Sequence, residues 1–131
     1  MEGKGRITGH TGLLALIGSP VGHSGSPAMY NYSFEKLGLD YAYVAFDIKV
    51  EEVKAALDAM RLFHMRGCNV TMPCKTEAAK YMDELSPAAR IIGAVNTIVN
   101  EDGKLIGHMT DGEGFVAVSY THLRAHETRS N

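Results

Sequence analysis

The sequence predicts an α/β domain, a three-layer sandwich built on a mixed, mostly parallel sheet. Three observations predict it. Leu13 to Ile17 is an unbroken apolar run closed by Gly18, the pattern of a strand buried on both faces. Strand-type and helix-type segments then alternate along the chain, as they do where helices pack on a sheet. Finally, Asn100-Glu101-Asp102-Gly103 separates two strand-type runs, which marks one antiparallel hairpin.

Taken in order, residues 1–12 mix Gly, Lys, Arg and Thr without periodicity and read as a lead-in. After the Leu13–Ile17 strand, Ser26 supplies an N-cap hydroxyl and Pro27 suits a first helical turn. Met29, Tyr30, Phe34 and Leu37 then recur at helical spacing, and Gly38 stands where a C-terminal cap belongs. Tyr41 to Ile48 is aromatic and β-branched, hence a second strand. The next helix carries Val50, Val53, Leu57, Met60 and Phe63 on one face, with Glu51, Glu52, Lys54 and Asp58 on the other. A short strand, Gly67 to Met72, is stopped by Pro73, and Lys75 to Met82 is helical. Ser86 caps a further helix over Pro87 to Ile92. Gly93 to Val99 and Lys104 to Met109 are the two strands of the hairpin.

Composition bounds the function. The chain has 131 residues, 45% hydrophobic and 21% charged, which suits one domain with a real core. A net charge of -2 gives no electrostatic reason to expect nucleic acid or an anionic membrane as partner. No apolar run approaches the roughly 18–20 residues of a membrane span. The N-terminus lacks a signal-peptide pattern. Two cysteines, Cys68 and Cys74, fit reduced thiols in a cytoplasmic protein.

Four segments carry candidate chemistry. The loop Gly18-Ser19-Pro20-Val21-Gly22-His23-Ser24-Gly25-Ser26-Pro27 sets serines at a helix start, where N–H groups and hydroxyls both donate to an anion. Position alone leaves two roles for Ser24 and Ser26: ligands to a carboxylate or phosphate, or a turn hydroxyl and a cap. In Asn69-Val70-Thr71-Met72-Pro73-Cys74-Lys75, Asn69 and Thr71 sit two apart on a strand and share a face. Lys75 opens a helix, against the helix dipole. It is either a solvated lysine or one placed to exchange a proton with a carbonyl or hydroxyl oxygen. Asn96, polar within Gly93-Ala94-Val95-Asn96-Thr97, needs a partner, structural or ligand. Asp111, in Thr110-Asp111-Gly112, follows a strand, where α/β sheets place ligands. The run Gly112-Glu113-Gly114 with Ala117 matches a dinucleotide fingerprint in form, but the strand and acidic residue that should follow do not. His122 and His126 are four apart in a polar tail and lack a third ligand nearby.

Together and in this order, the four segments resemble those of the shikimate dehydrogenase family, specifically its N-terminal substrate-binding domain, over roughly Leu13 to Val116. The resemblance implies a cytoplasmic oxidoreductase of aromatic amino-acid biosynthesis that reduces 3-dehydroshikimate to shikimate with NADPH, or oxidises quinate in some members. It further implies that Ser24 and Ser26 bind the substrate carboxylate, and that Asn69, Thr71, Asn96 and Asp111 hydrogen-bond the ring hydroxyls. Lys75 and Asp111 would be the catalytic pair, the lysine moving a proton at the carbonyl oxygen while the carboxylate holds its ammonium. A homodimer is compatible with it.

The chain departs from the family in two respects. The family commonly has Asn where Met109 stands, which implies one polar group fewer near the site. It also continues into a Rossmann-type domain that binds the nicotinamide cofactor. The expectation is therefore a substrate-binding domain over 13–116, inactive alone, with a tail at 117–131 foreign to the family. Two other classes remain. One is a standalone binding module for a small hydroxylated carboxylate, and the other is a truncated nucleotide-binding protein built on Gly112-Glu113-Gly114.

Overall fold

The computed structural model describes residues 5–110 of the chain. Its strands are β1 (Gly12–Gly18), β2 (Tyr41–Asp47), β3 (Gly67–Val70), β4 (Glu84–Leu85), β5 (Thr97–Glu101) and β6 (Lys104–His108). Its helices are α1 (Ser26–Leu37), α2 (Val53–Leu62, entered through a 3-10 turn at Val50–Glu52), α3 (Lys75–Ala79) and α4 (Pro87–Ile92). The strands form one mixed sheet in the order β2-β1-β3-β5-β6-β4. Its β2-β1, β1-β3 and β6-β4 pairs are parallel, and β5 runs against both of its neighbours.

β1 explains the layering. Along it Leu13, Ala15 and Ile17 face one way and Leu14 and Leu16 the other, so an all-apolar run feeds two cores at once. The larger core takes Val53, Leu57 and Met60 of α2, Cys74 at the cap of α3 and Ala78 within it, and Ala89 of α4, against Cys68, Val70, Ile98 and Leu105 of the sheet. The smaller core lies under α1, where Phe34 and Tyr30 meet Leu16, Tyr43 and Tyr41. Helices thus cover both faces, as the sequence predicts.

The free edge of β2 is occupied from within the chain. The Asn31 side-chain amide donates to the Tyr43 carbonyl at 2.8 Å and accepts from the Tyr43 N–H at 2.9 Å. Arg6 donates to the Tyr41 carbonyl and, at 3.2 Å, to the Asn31 amide oxygen. Side chains from α1 and the lead-in therefore take the place of a further strand.

Several expectations need correction. Ser26 does not cap α1: Gly25 holds that position, and no side chain caps the helix. The reason is local, because the Ser24 hydroxyl oxygen already accepts the Ser26 N–H at 3.1 Å. Gly93 does not open a strand. In the left-handed conformation (φ 77°) it closes α4, and β5 starts only at Thr97. The helix after Pro73 stops at Ala79 instead of Met82, and the strands before it end at Asp47 and Val70, short of Ile48 and Met72. Met29, Leu37 and Phe63, expected on buried faces, are exposed.

Candidate functional site

In a parallel sheet the chain leaves every strand at the same edge, and here that edge collects the candidate residues. β1 runs into the Ser19–Gly25 loop, β3 into Thr71-Met72-Pro73, and β6 into Met109-Thr110. Because β5 is reversed, its start and not its end lies at this edge, and the start carries Asn96 and Thr97. Register makes the neighbourhood exact in sequence terms: Leu16 faces Asn69, Asn69 faces Thr97, and Thr97 faces His108.

The two loops after β1 and β3 are clasped at Gly18. The Ser19 N–H donates to the Met72 carbonyl at 3.0 Å, and Ile48 N–H donates to the Gly18 carbonyl at 2.9 Å. Gly18 adopts φ 150°, and a Cβ there would lie 2.3 Å from Thr71 Cγ2 and 2.9 Å from the Met72 carbonyl oxygen. A glycine is required for this approach. The peptide bonds Ser19-Pro20 and Met72-Pro73 are both cis.

From these loops a line of hydrogen bonds crosses the sheet edge. Tyr43 donates its phenolic proton to Asn69 Oδ1 at 2.8 Å. Asn69 Nδ2 donates to Thr97 Oγ1 at 3.3 Å and to the Asn96 carbonyl at 3.4 Å. Thr97 Oγ1 donates to Asn96 Oδ1 at 3.2 Å, and Asn96 Nδ2 donates to Thr110 Oγ1 at 2.9 Å. Thr110 N–H returns a bond to Asn96 Oδ1 at 3.2 Å. At the other end, the Ser26 hydroxyl acts on the Tyr43 phenol and partly offsets a strong upward shift. Burial is the main cause of that shift, followed by Tyr30 and Cys68, and the phenol is raised to about 12. Tyr43 is therefore a neutral donor at any ordinary pH.

Of the residues singled out from sequence, Ser24, Ser26, Asn69 and Asn96 thus belong to one connected stretch. Thr71 and Lys75 stand on the same edge. Thr71 packs by Gly18, and half-buried Lys75 opens α3 with its carbonyl accepting the Val95 N–H at 3.0 Å. His23 is exposed. Asp111, the Gly112-Glu113-Gly114 run, His122, His126 and the rest of 117–131 lie outside the described residues. Sequence reasoning missed Tyr43, whose role depends on β2 lying next to β1. The alternation Tyr41, Tyr43, Ala45 on one strand face was the available signal.

Neither cysteine is built as a nucleophile. Both are free and buried, burial pushes Cys68 up to about 12, and burial with the nearby Glu77 raises Cys74. Among the described residues no three His, Cys, Asp or Glu side chains converge to hold a metal ion. No helix among them is long and apolar enough to cross a membrane.

A family profile described as the shikimate dehydrogenase substrate binding domain matches residues 16–98, which include the loop after β1, all of β3 and the start of β5. The chain belongs to the shikimate dehydrogenase family. Among curated relatives, the shikimate dehydrogenase (NADP(+)) of Listeria monocytogenes serotype 4b (strain F2365) is 55% identical over 111 residues, covering 85% of this chain and 38% of the relative. The crystal structure of shikimate 5-dehydrogenase from Listeria monocytogenes, in complex with shikimate and NAD, superposes with a TM-score of 0.81 at 54% identity. It covers 86% of this chain and 39% of that one. The ligand-free 5-ketofructose reductase of Gluconobacter sp. strain CHM43 superposes with a TM-score of 0.78 at 32% identity, covering 87% of this chain and 41% of that one. The chain thus spans about two fifths of the length of the dehydrogenases it matches.

Family membership makes two local features informative. Met109, expected from the family resemblance to stand in place of a polar residue, is buried in the larger core with Val95 and Leu105 and serves packing. Second, none of the described strand-to-helix turns has the Gly-x-Gly-x-x-Gly spacing that a dinucleotide pyrophosphate needs for close backbone approach.

Proposed function

We propose that this chain is the substrate-binding and proton-transfer half of a shikimate dehydrogenase, taking shikimate or 3-dehydroshikimate as ligand. The observation that carries the reading is the hydrogen-bonded line from Tyr43 through Asn69, Thr97 and Asn96 to Thr110, immediately before Asp111. A ring bearing several hydroxyls needs donors and acceptors spread along one wall, and this line supplies them at neighbouring strand ends. Ser24 and Ser26 would take the carboxylate. The Ser24 oxygen already accepts the Ser26 N–H, which leaves its own O–H proton to donate to an anion.

Asn69, Thr71, Asn96 and Asp111 would hold the ring hydroxyls. Lys75 would exchange a proton with the oxygen at the reacting carbon, and Asp111 would hold the ammonium in place through a charge-assisted hydrogen bond. The NADP named for the relatives would be held by parts of those proteins that this chain does not match.

The test joins residues 1–116 to the unmatched remainder of the Listeria relative. The chimera is expected to reduce NADP in the presence of shikimate. Lys75→Ala should lower its kcat by about 10²–10⁴-fold, the range of a lost acid–base group. Ser24→Ala should act chiefly on KM. Undiminished kcat in Lys75→Ala would overturn the assignment. Calorimetry on the 131-residue chain with shikimate, quinate and NADP separates the remaining possibilities. Tight unaided shikimate binding supports a standalone module, and NADP binding alone supports a nucleotide-binding protein.

A further inference from the structure

We propose that Tyr43 is a positioning residue of this site: its phenol sets the orientation of the Asn69 side-chain amide, and so decides which of its atoms meets the substrate. The proposal rests on the reading of the site as a shikimate pocket, and it concerns a residue outside that set.

The amide orientation follows from a count of donors and acceptors. One end of the Asn69 amide faces the Asn96 backbone carbonyl at 3.4 Å, and a carbonyl can only accept. That end must be Nδ2. Oδ1 is then turned to Tyr43, whose phenol must donate its single proton. Were the phenol absent, Oδ1 would lose its partner, and only two long bonds, 3.3 and 3.4 Å, would favour this orientation over the flipped one. The 2.8 Å bond from Tyr43 is the strong member of the set. Because the Nδ2 bonds are long, a ligand oxygen at ordinary distance competes well for those protons. The amide thus offers a donor to a ring hydroxyl.

Tyr43 is itself held from three sides. The Asn31 amide occupies both backbone groups of Tyr43. Its ring stacks on Tyr30 with centroids 4.6 Å apart and planes inclined by 21°, and it is only 3% exposed in the core under α1. The chain Asn31 to Tyr43 to Asn69 therefore runs from the outer edge of the sheet to the candidate pocket. A cavity of about 280 Å³, lined in part by Tyr30, Tyr43, Asn69 and Thr97, adjoins the bond. Water from it can meet Asn69 Oδ1 in a Tyr43→Phe variant, and the retained ring keeps the core intact, so the variant folds.

The test is a double-mutant cycle on shikimate binding, by calorimetry on the chain or as KM in the chimera. Tyr43→Phe should weaken binding roughly 5–10-fold, and kcat should change much less, consistent with one lost hydrogen bond acting on a ligand group. Asn69→Ala should weaken it further, and adding Tyr43→Phe to Asn69→Ala should change nothing more. Independent, additive effects, or unchanged binding in Tyr43→Phe, would overturn the proposal. Nuclear Overhauser contacts from the Asn69 Nδ2 protons to Thr97 read the orientation without any ligand. They should be strong in the parent and weakened in Tyr43→Phe, and equal intensities would count against it. If the parent binds no shikimate, the functional reading fails, and this ligand-free measurement still decides the role of Tyr43.

Discussion

Gly18→Ala tests how the loops after β1 and β3, which carry the proposed ligand residues, are joined. The added methyl would lie 2.3 Å from Thr71 Cγ2, 2.9 Å from the Met72 carbonyl oxygen and 3.0 Å from the Thr71 carbonyl oxygen, at a φ of 150°. Two of these neighbours are backbone, so no rotamer change relieves the clash and the Thr71-Met72 segment must move outward. Overpacking of this kind costs about 1–3 kcal/mol, and unfavourable backbone geometry costs on the order of another 1 kcal/mol. Outward movement also stretches the 3.0 Å bond from Ser19 N–H to the Met72 carbonyl, worth about 1 kcal/mol. Together these come to about 3–5 kcal/mol, and the lower end alone corresponds to a melting midpoint lower by roughly 12–24 °C for a domain of this size. Thermal unfolding by circular dichroism measures it. Shikimate titration at a temperature where the variant is folded should show weaker binding, because the Ser24 and Thr71 walls no longer keep their spacing. A midpoint within about 3 °C of the parent, with unshifted Thr71 resonances, would refute the reasoning.

Two further predictions concern the frame. Asn31→Ala removes both side-chain bonds to the Tyr43 backbone and uncovers the β2 edge. It should cost about 1–3 kcal/mol in urea unfolding and raise self-association in sedimentation velocity, and a variant as stable and monodisperse as the parent would exclude the guard role. Alkaline pH should destabilise the fold through Cys68 and Tyr43, raised from 9.0 and 10.0 to about 12 each. Both lose a proton to become charged, so the folded chain retains protons that the unfolded chain releases. Their contribution is whole below pH 9 and is lost as pH climbs from 9 to 12, by about 1.4 kcal/mol per pH unit for each group inside its window. The urea midpoint should fall between pH 8.5 and 10.5, and Cys68→Val should flatten that fall. An equal slope in the variant would remove Cys68 as the cause.

What was legible in the sequence follows from which forces are local. β1 was readable because a strand buried on both faces must be apolar throughout, and α2 because Val53, Leu57 and Met60 repeat at helical spacing toward the larger core. Ser26 misled because its hydroxyl satisfies the cap pattern equally well whether or not Ser24 has already taken the N–H. Gly93 misled because glycine within an apolar stretch reads as strand until its positive φ is seen closing α4. Met29, Leu37 and Phe63 show the limit of periodicity, which gives a face but not what covers it. In the site, Asn69 and Asn96 were legible as polar residues in apolar strands that demanded partners. The partner of Asn69 was not, since Tyr43 is 26 residues away and reaches it only because β2 lies beside β1 and β1 beside β3.

The reversal of β5 is what completes the polar line. With all six strands parallel and no reversal, the edge after β1, β3 and β6 would hold only segments that follow strands, and the residues before β5 would lie at the far side of the sheet. Reversed, β5 brings Asn96 and Thr97 between Asn69 on one side and Thr110 on the other, and each neighbour is reached within 3.4 Å. The same reversal explains why Gly93 must stop α4 in a left-handed turn and why Val95 N–H bonds the Lys75 carbonyl. The chain has to return along the sheet edge, past the start of α3, before it can enter β5. The main chain of Lys75 is thereby tied to the segment that carries Asn96. A change in that return path, such as Gly93→Val, should therefore disturb Asn96 and Lys75 together. Amide chemical shifts of Asn96, Thr97 and Lys75 that move as a set would bear this out, and a response confined to α4 would show that the edge is assembled from independent pieces.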